Sequence, residues 1–217
     1  MRHTTLYSGI EKHASLSEVG AGTTSRAKLL KRAALLGGTA LATGGLVTAL
    51  PERATSASSR ARDVRILNYV LRLESMKAAF YRDAAQGGAL TGELQQLAEI
   101  LARHERAHVL FLRNHLGSMA DADRTYSFGD ATRDAAMFAT TARTLEETAV
   151  GGYIGQGPNL TRSLMVPFAQ MCSVEARHVA WIADFLEDDP APRPADQAKS
   201  PADVLAVIEQ TGFEATS

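Results

Sequence analysis

The sequence predicts an all-α protein: a four-helix bundle with one long crossover, built from two repeated helical hairpins and followed by a short C-terminal helix. Three observations carry this reading. A pattern of Leu-Glu, a tyrosine seven residues after the Glu, and a later Glu-x-x-His occurs twice. Apolar residues recur at helical spacing around both copies. A polar stretch of thirteen residues, 117–129, separates the copies and has no helical stripe of its own.

The first copy is Leu73-Glu74, Tyr81 and Glu105-x-x-His108; the second is Leu145-Glu146, Tyr153 and Glu175-x-x-His178. The two glutamates are 31 residues apart in the first copy and 29 in the second. Repetition at matched offsets fixes architecture before any single element does. Here it calls for two hairpins, each supplying two carboxylates and one imidazole.

The first helix is readable from about Ala61, with the stripe Leu67, Val70, Glu74, Ala78 and Tyr81, and ends at Gln86-Gly87-Gly88. The second begins near Thr91, carries Leu94, Leu97, Leu101, Glu105, His108 and Leu112, and stops at Gly117. A turn of six or seven residues makes these two antiparallel neighbours. Asp130 reads as the N-cap of the third helix, whose stripe is Ala135, Phe138 or Ala139, Ala142, Glu146, Val150 and Tyr153. After Gly155-Gln156-Gly157-Pro158, the fourth carries Leu164, Phe168, Met171, Glu175, His178, Ile182 and Phe185. The thirteen-residue link reaches roughly 43 Å when extended, enough to cross a 24-residue helix of about 36 Å. That length allows the second hairpin to be related to the first by a pseudo-twofold axis. Residues 191–199 form a Pro-rich linker, and Ser200-Pro201-Ala202-Asp203 opens a short helix ending at Gly212. Its residues Val204, Leu205, Ala206, Val207 and Ile208 are expected to pack on the bundle end.

Charge divides the chain. Residues 1–57 carry seven Lys/Arg against three acids, a net of +4, and 58–217 carry sixteen against twenty-one, a net of −5. A mildly acidic body without a basic patch argues against nucleic-acid binding. The single cysteine, Cys172, rules out an internal disulfide. Near the N-terminus, Arg26, Lys28, Lys31 and Arg32 precede an uncharged run at 33–50; Pro51 and the small residues 54–57 follow. This is the order of an export signal, predicting an exported protein in periplasm, envelope or extracellular space. The stretch 25–31 resembles a twin-arginine translocation signal, with Ala27 in place of the second arginine. The alternative is an uncleaved anchor, the chain's only expected membrane contact, since eighteen residues is about the minimum span. The expected organisation is therefore 1–57 as export signal and extension, 58–189 as bundle, and 190–217 as linker and short helix.

Glu74, Glu105, Glu146 and Glu175 all stand in apolar stripes, where Leu or Ala is expected. Burying four carboxylates together is untenable without cations or protons. Two divalent metals would neutralise them, and residues three apart on a helix aim both ligands of each Glu-x-x-His at one spot.

The stretches Leu73-Glu74 with Ala79-Phe80-Tyr81, His104 to His108, Leu145-Glu146 with Gly152-Tyr153, and Val174 to His178 resemble the ferritin-like superfamily, in particular its exported desiccation-related branch. The resemblance covers 63–188. It implies Glu74, Glu105 and His108 at one metal and Glu146, Glu175 and His178 at the other, with Glu105 and Glu175 bridging. It also implies two iron ions, with manganese or zinc as alternatives, and chemistry on oxygen or peroxide of the ferroxidase or peroxidase type. Tyr81 and Tyr153 resemble the tyrosine beside a ferroxidase site and are the catalytic candidates; plain core aromatics are the alternative. Glu147 is read as solvent-facing, and His104 as a surface or supporting residue. A non-catalytic envelope stress scaffold is the competing function, a homodimer is compatible with either, and a storage cage fits less well.

Overall fold

The computed structural model describes residues 52–214, with side chains from 58 onward. The basic segment and apolar run of the expected export signal lie outside the described residues. Helix α1 spans Glu52–Gln86, α2 Gly92–Leu116, α3 Ala135–Gln156, α4 Arg162–Phe185 and α5 Pro201–Thr211. The described residues contain no strand, only an isolated bridge between Tyr126 and Glu214. None of their helices is long and apolar enough to cross a membrane.

The direction of each helix follows from which apolar cluster it meets first. One core cluster contains Leu73, Phe80, Leu97, Leu101, Phe138, Leu145 and Ile182. The other contains Leu67, Val70, Leu112, Tyr153, Phe168 and Met171. Helix α1 runs from the second cluster to the first, α2 and α3 both run from the first to the second, and α4 returns. Thus α2 and α3 are parallel, and the crossover between them traverses the bundle's length. Its ends are tightened into 3₁₀ turns at Gly117–Met119 and Gly129–Thr132.

Three local details differ from the sequence reading. Helix α1 starts at Glu52, nine residues before its stripe becomes legible. The N-cap of α3 is Asp134, whose carboxylate accepts the Met137 N–H at 2.8 Å; Asp130 instead sits in the preceding 3₁₀ turn, where its carbonyl accepts from Arg133 and Asp134. Helix α5 does not close an end of the bundle. Its start, a capping box between Ser200 and Asp203, is laid along α3, where the Lys199 N–H bonds the Gly151 carbonyl at 2.9 Å. Gly155 makes this approach possible: a Cβ there would stand 2.1 Å from the Lys199 carbonyl oxygen. Val204 and Ile208 join the first core cluster, while Leu205 and Val207 are half-buried and Ala206 is exposed.

The tail then ties back to the crossover. Ser127 N–H donates to the Phe213 carbonyl at 2.8 Å, and Phe80, Phe128, Phe138 and Phe213 form one aromatic group. Arg72 clamps Glu214 with two hydrogen bonds of 2.7 and 2.6 Å. At the opposite end, buried Asp63 accepts both the N–H and the hydroxyl of Thr161, the N-cap of α4. That contact pins the start of the second hairpin to the first.

Candidate metal centre

Between the two apolar clusters, each of α1 to α4 contributes polar residues to a single belt. Glu74, Glu105, Glu146 and Glu175 have no solvent exposure, and His108 and His178 are buried beside them. Ligand-capable atoms of Glu74, Glu105, His108 and Glu175 lie within 4.8 Å of one another, as do those of Glu105, Glu146, Glu175 and His178. The two sets share Glu105 and Glu175, so the arrangement has two overlapping places with a common pair of carboxylates.

The tyrosines cross between hairpins. Tyr81, on α1, donates to Glu146 Oε1 at 2.7 Å, and Tyr153, on α3, donates to Glu74 Oε1 at 3.1 Å. Each hairpin therefore orients the other's first carboxylate, as a pseudo-twofold relation requires. Burial and the facing carboxylates push both phenols well above their ordinary pKa, so they remain protonated donors.

His104 supports the belt from outside it. Its Nδ1 lies 2.9 Å from His178 Nε2, with the rings stacked. Burial, then the neighbouring His178, hold His104 below its ordinary pKa, whereas His178, despite burial, is lifted by the surrounding glutamates, so the protonated His178 Nε2–H donates and His104 Nδ1 accepts. This fixes the second ring so that Nδ1 faces the carboxylates, the usual role of an outer partner to a ligating histidine. Glu147 points outward and pairs with Arg143 at 2.9 Å.

One residue of the belt escaped the sequence reading. Lys77 is 1% exposed, and its Nζ stands among all four carboxylates. It lies 3.1 Å from Glu105 Oε2, 3.1 Å from Glu146 Oε2 and 3.5 Å from Glu74 Oε2, and contacts Glu175 Oε2 directly. Burial opposes its charge, but the four carboxylates outweigh that and hold its pKa well above the ordinary lysine value. The signal was present: Lys77 is three residues after Glu74 and four before Tyr81, hence on their face.

Charge inside the belt is arranged unequally. Burial raises Glu74 to about 7 and moves Glu146 the same way, against the pull of Lys77. Glu105 and Glu175 feel burial and carboxylate repulsion too, but Lys77 and hydrogen-bonding neighbours win, and both stay below the ordinary range. Burial disfavours charge on the two histidines, yet the surrounding glutamates lift His108 to about 12 and His178 to about 11.

The donor set fits a metal. Glu105 and Glu175 are shared by both groups, with His108 Nδ1 2.8 Å from Glu175 Oε1 and His178 Nδ1 3.3 Å from Glu105 Oε1, and carboxylate and imidazole atoms converging at one buried spot suit iron, manganese or zinc. Four inward glutamates with two Glu-x-x-His pairs is a ligand pattern compatible with a metal site in a four-helix bundle. The chain belongs to the ferritin-like domain family, which matches residues 62–188, more than half its length. No curated protein matches it.

Proposed function

We propose that the protein is an exported ferritin-like metalloprotein that binds iron, with manganese or zinc as competitors, at this belt and acts on oxygen or peroxide. The observation that carries the reading is the pair of fully buried carboxylates, Glu105 and Glu175, shared by two overlapping ligand groups. Glu74, Glu105, His108 and Glu175 would hold one ion, and Glu105, Glu146, Glu175 and His178 a second, so two ions is the number the ligand count allows. Bound iron would supply electrons for the reduction of oxygen or peroxide. The chain's own contribution is to exclude water with the two flanking apolar clusters and to hold the phenolic protons of Tyr81 and Tyr153 on Glu146 and Glu74. Export rests on the basic segment and the apolar run at 33–50 that follows it.

A second reading is favoured by Lys77: a non-catalytic envelope or desiccation-related scaffold whose belt needs no metal. The two separate in one experiment. Protein purified from its native compartment is analysed for metals, and peroxide consumption is measured for wild type and for Glu105→Ala with Glu175→Ala. Bound iron or manganese, with turnover lost in the variant, supports the metalloprotein. Metal-free, inert wild type leaves the scaffold.

A further inference from the structure

Lys77 is the one member of the belt that a two-ion site has no use for. Its ammonium is closer to Glu105, Glu146 and Glu175 than to Glu74, and its hydrogen bonds go to Glu146 and Glu175. All three of those glutamates belong to the ligand group completed by His178. A metal bonded to the same carboxylates would sit about 2.0–2.2 Å from their oxygens, which places it on or against the ammonium. Lys77 is buried, as are Leu73, Met76 and Phe80 near it on its own helix, each no more than 2% exposed.

The duplication sharpens the point. Three residues after Glu146, the position matching Lys77 is Ala149, also buried. The ligands are duplicated and the cation is not, so the electrostatic symmetry of the belt is broken on one side only.

We infer that Lys77 is the resident cation of the place formed by Glu105, Glu146, Glu175 and His178, so that the protein folds without metal and takes one exchangeable ion at most, at Glu74, Glu105, His108 and Glu175. This rests on the belt being a metal site. With Lys77 in place, one divalent ion leaves the four carboxylates short by a single charge, whereas a second ion would overshoot and face the ammonium at close range. Two like charges a few ångströms apart in a buried site repel by several kcal/mol even at an effective dielectric near 20.

The test is a Mn²⁺ titration of the metal-stripped full chain, read by bound manganese per protein and by thermal unfolding with and without EDTA. Wild type is compared with Lys77→Met and Lys77→Gln. The expected result is no more than one Mn²⁺ in wild type, an unfolding temperature that falls only slightly in EDTA, and two Mn²⁺ in the variants, with the second bound at least roughly tenfold more tightly than in wild type. The variants should also unfold earlier in EDTA and recover on adding Mn²⁺. Two ions in wild type, or one in wild type and variants alike, overturns the role of Lys77 and leaves metal binding standing. No ion in wild type but two in the variants supports Lys77 and removes the metalloprotein reading. No ion in any of them removes both. Should neither variant be recovered folded, wild type alone decides: two ions, or a large loss of stability in EDTA, overturns the inference.

Discussion

The two hairpins carry the same three ligand types at nearly the same spacing, yet they are built for different tasks. The first, α1 and α2, adds a buried ammonium at Lys77. The second, α3 and α4, has Ala149 there and instead opens a glycine face, Gly151, Gly152 and Gly155, on which the segment from Lys199 to Val204 docks. One hairpin supplies the counter-charge and the other supplies the seat for the tail. A duplicated donor set therefore does not imply a duplicated electrostatic environment, and the charge a buried site still needs has to be counted residue by residue.

The sharpest way to break that difference is to remove or relocate the lysine. Lys77→Ala in metal-free protein should cost about 3–5 kcal/mol, the usual penalty for stripping one partner from a buried charged group. Adding Ala149→Lys to it, which moves the ammonium to the pseudo-symmetric position, should recover more than half of that loss in a urea titration. Failure of the double variant to recover would mean that the two sides of the belt are not interchangeable. Next in size, Gly155→Ala should cost about 1–3 kcal/mol by overpacking against the Lys199 backbone. Faster proteolysis within 190–199 would report the released linker.

The tyrosines probe whether the hairpins hold each other equally. Tyr81→Phe and Tyr153→Phe should each cost about 1–2 kcal/mol, with the larger loss at Tyr81 because its bond is 2.7 Å against 3.1 Å. Equal losses in calorimetry would argue that bond length does not rank them. The smallest effect belongs to the tail clamp. Arg72 hydrogen bonds, ahead of a burial effect of opposite sign, hold Glu214 below its ordinary pKa. Its contribution is therefore present above the unfolded value and lost as pH falls through the folded one. Glu214→Gln should lower stability at neutral pH by about 1 kcal/mol and flatten that part of the acid limb in pH-dependent melting.

How far the sequence reads true depends on the kind of signal. The repeat, the helix periods and the thirteen-residue link predict the all-helical bundle with its crossover, because periodicity and length are properties of the chain alone. The four glutamates stood out because a carboxylate in an apolar stripe is costly. Lys77 did not, for a specific reason: stepping four residues from Glu74 places Ala78 on the stripe, and that residue is only half-buried, whereas stepping three gives Lys77. A lysine is normally read as solvated, and its burial makes sense only once four helices bring their acids to it. Asp130 lost the capping role to Asp134 because the crossover takes one more 3₁₀ turn before α3 begins. The seat of α5 on α3 depends on contact between residues some fifty positions apart, which no local pattern encodes.

The belt is stitched from residues far apart in the chain: Tyr81 reaches Glu146 across 65 positions, and Lys77 reaches Glu175 across 98. Each hairpin, by contrast, closes over short distances. During folding the acids can therefore stay hydrated while the hairpins form, and dehydration falls on the moment the halves meet. The docking step carries nearly the whole electrostatic risk of the molecule, and the lysine that accompanies the first half brings its own neutralising charge to that encounter.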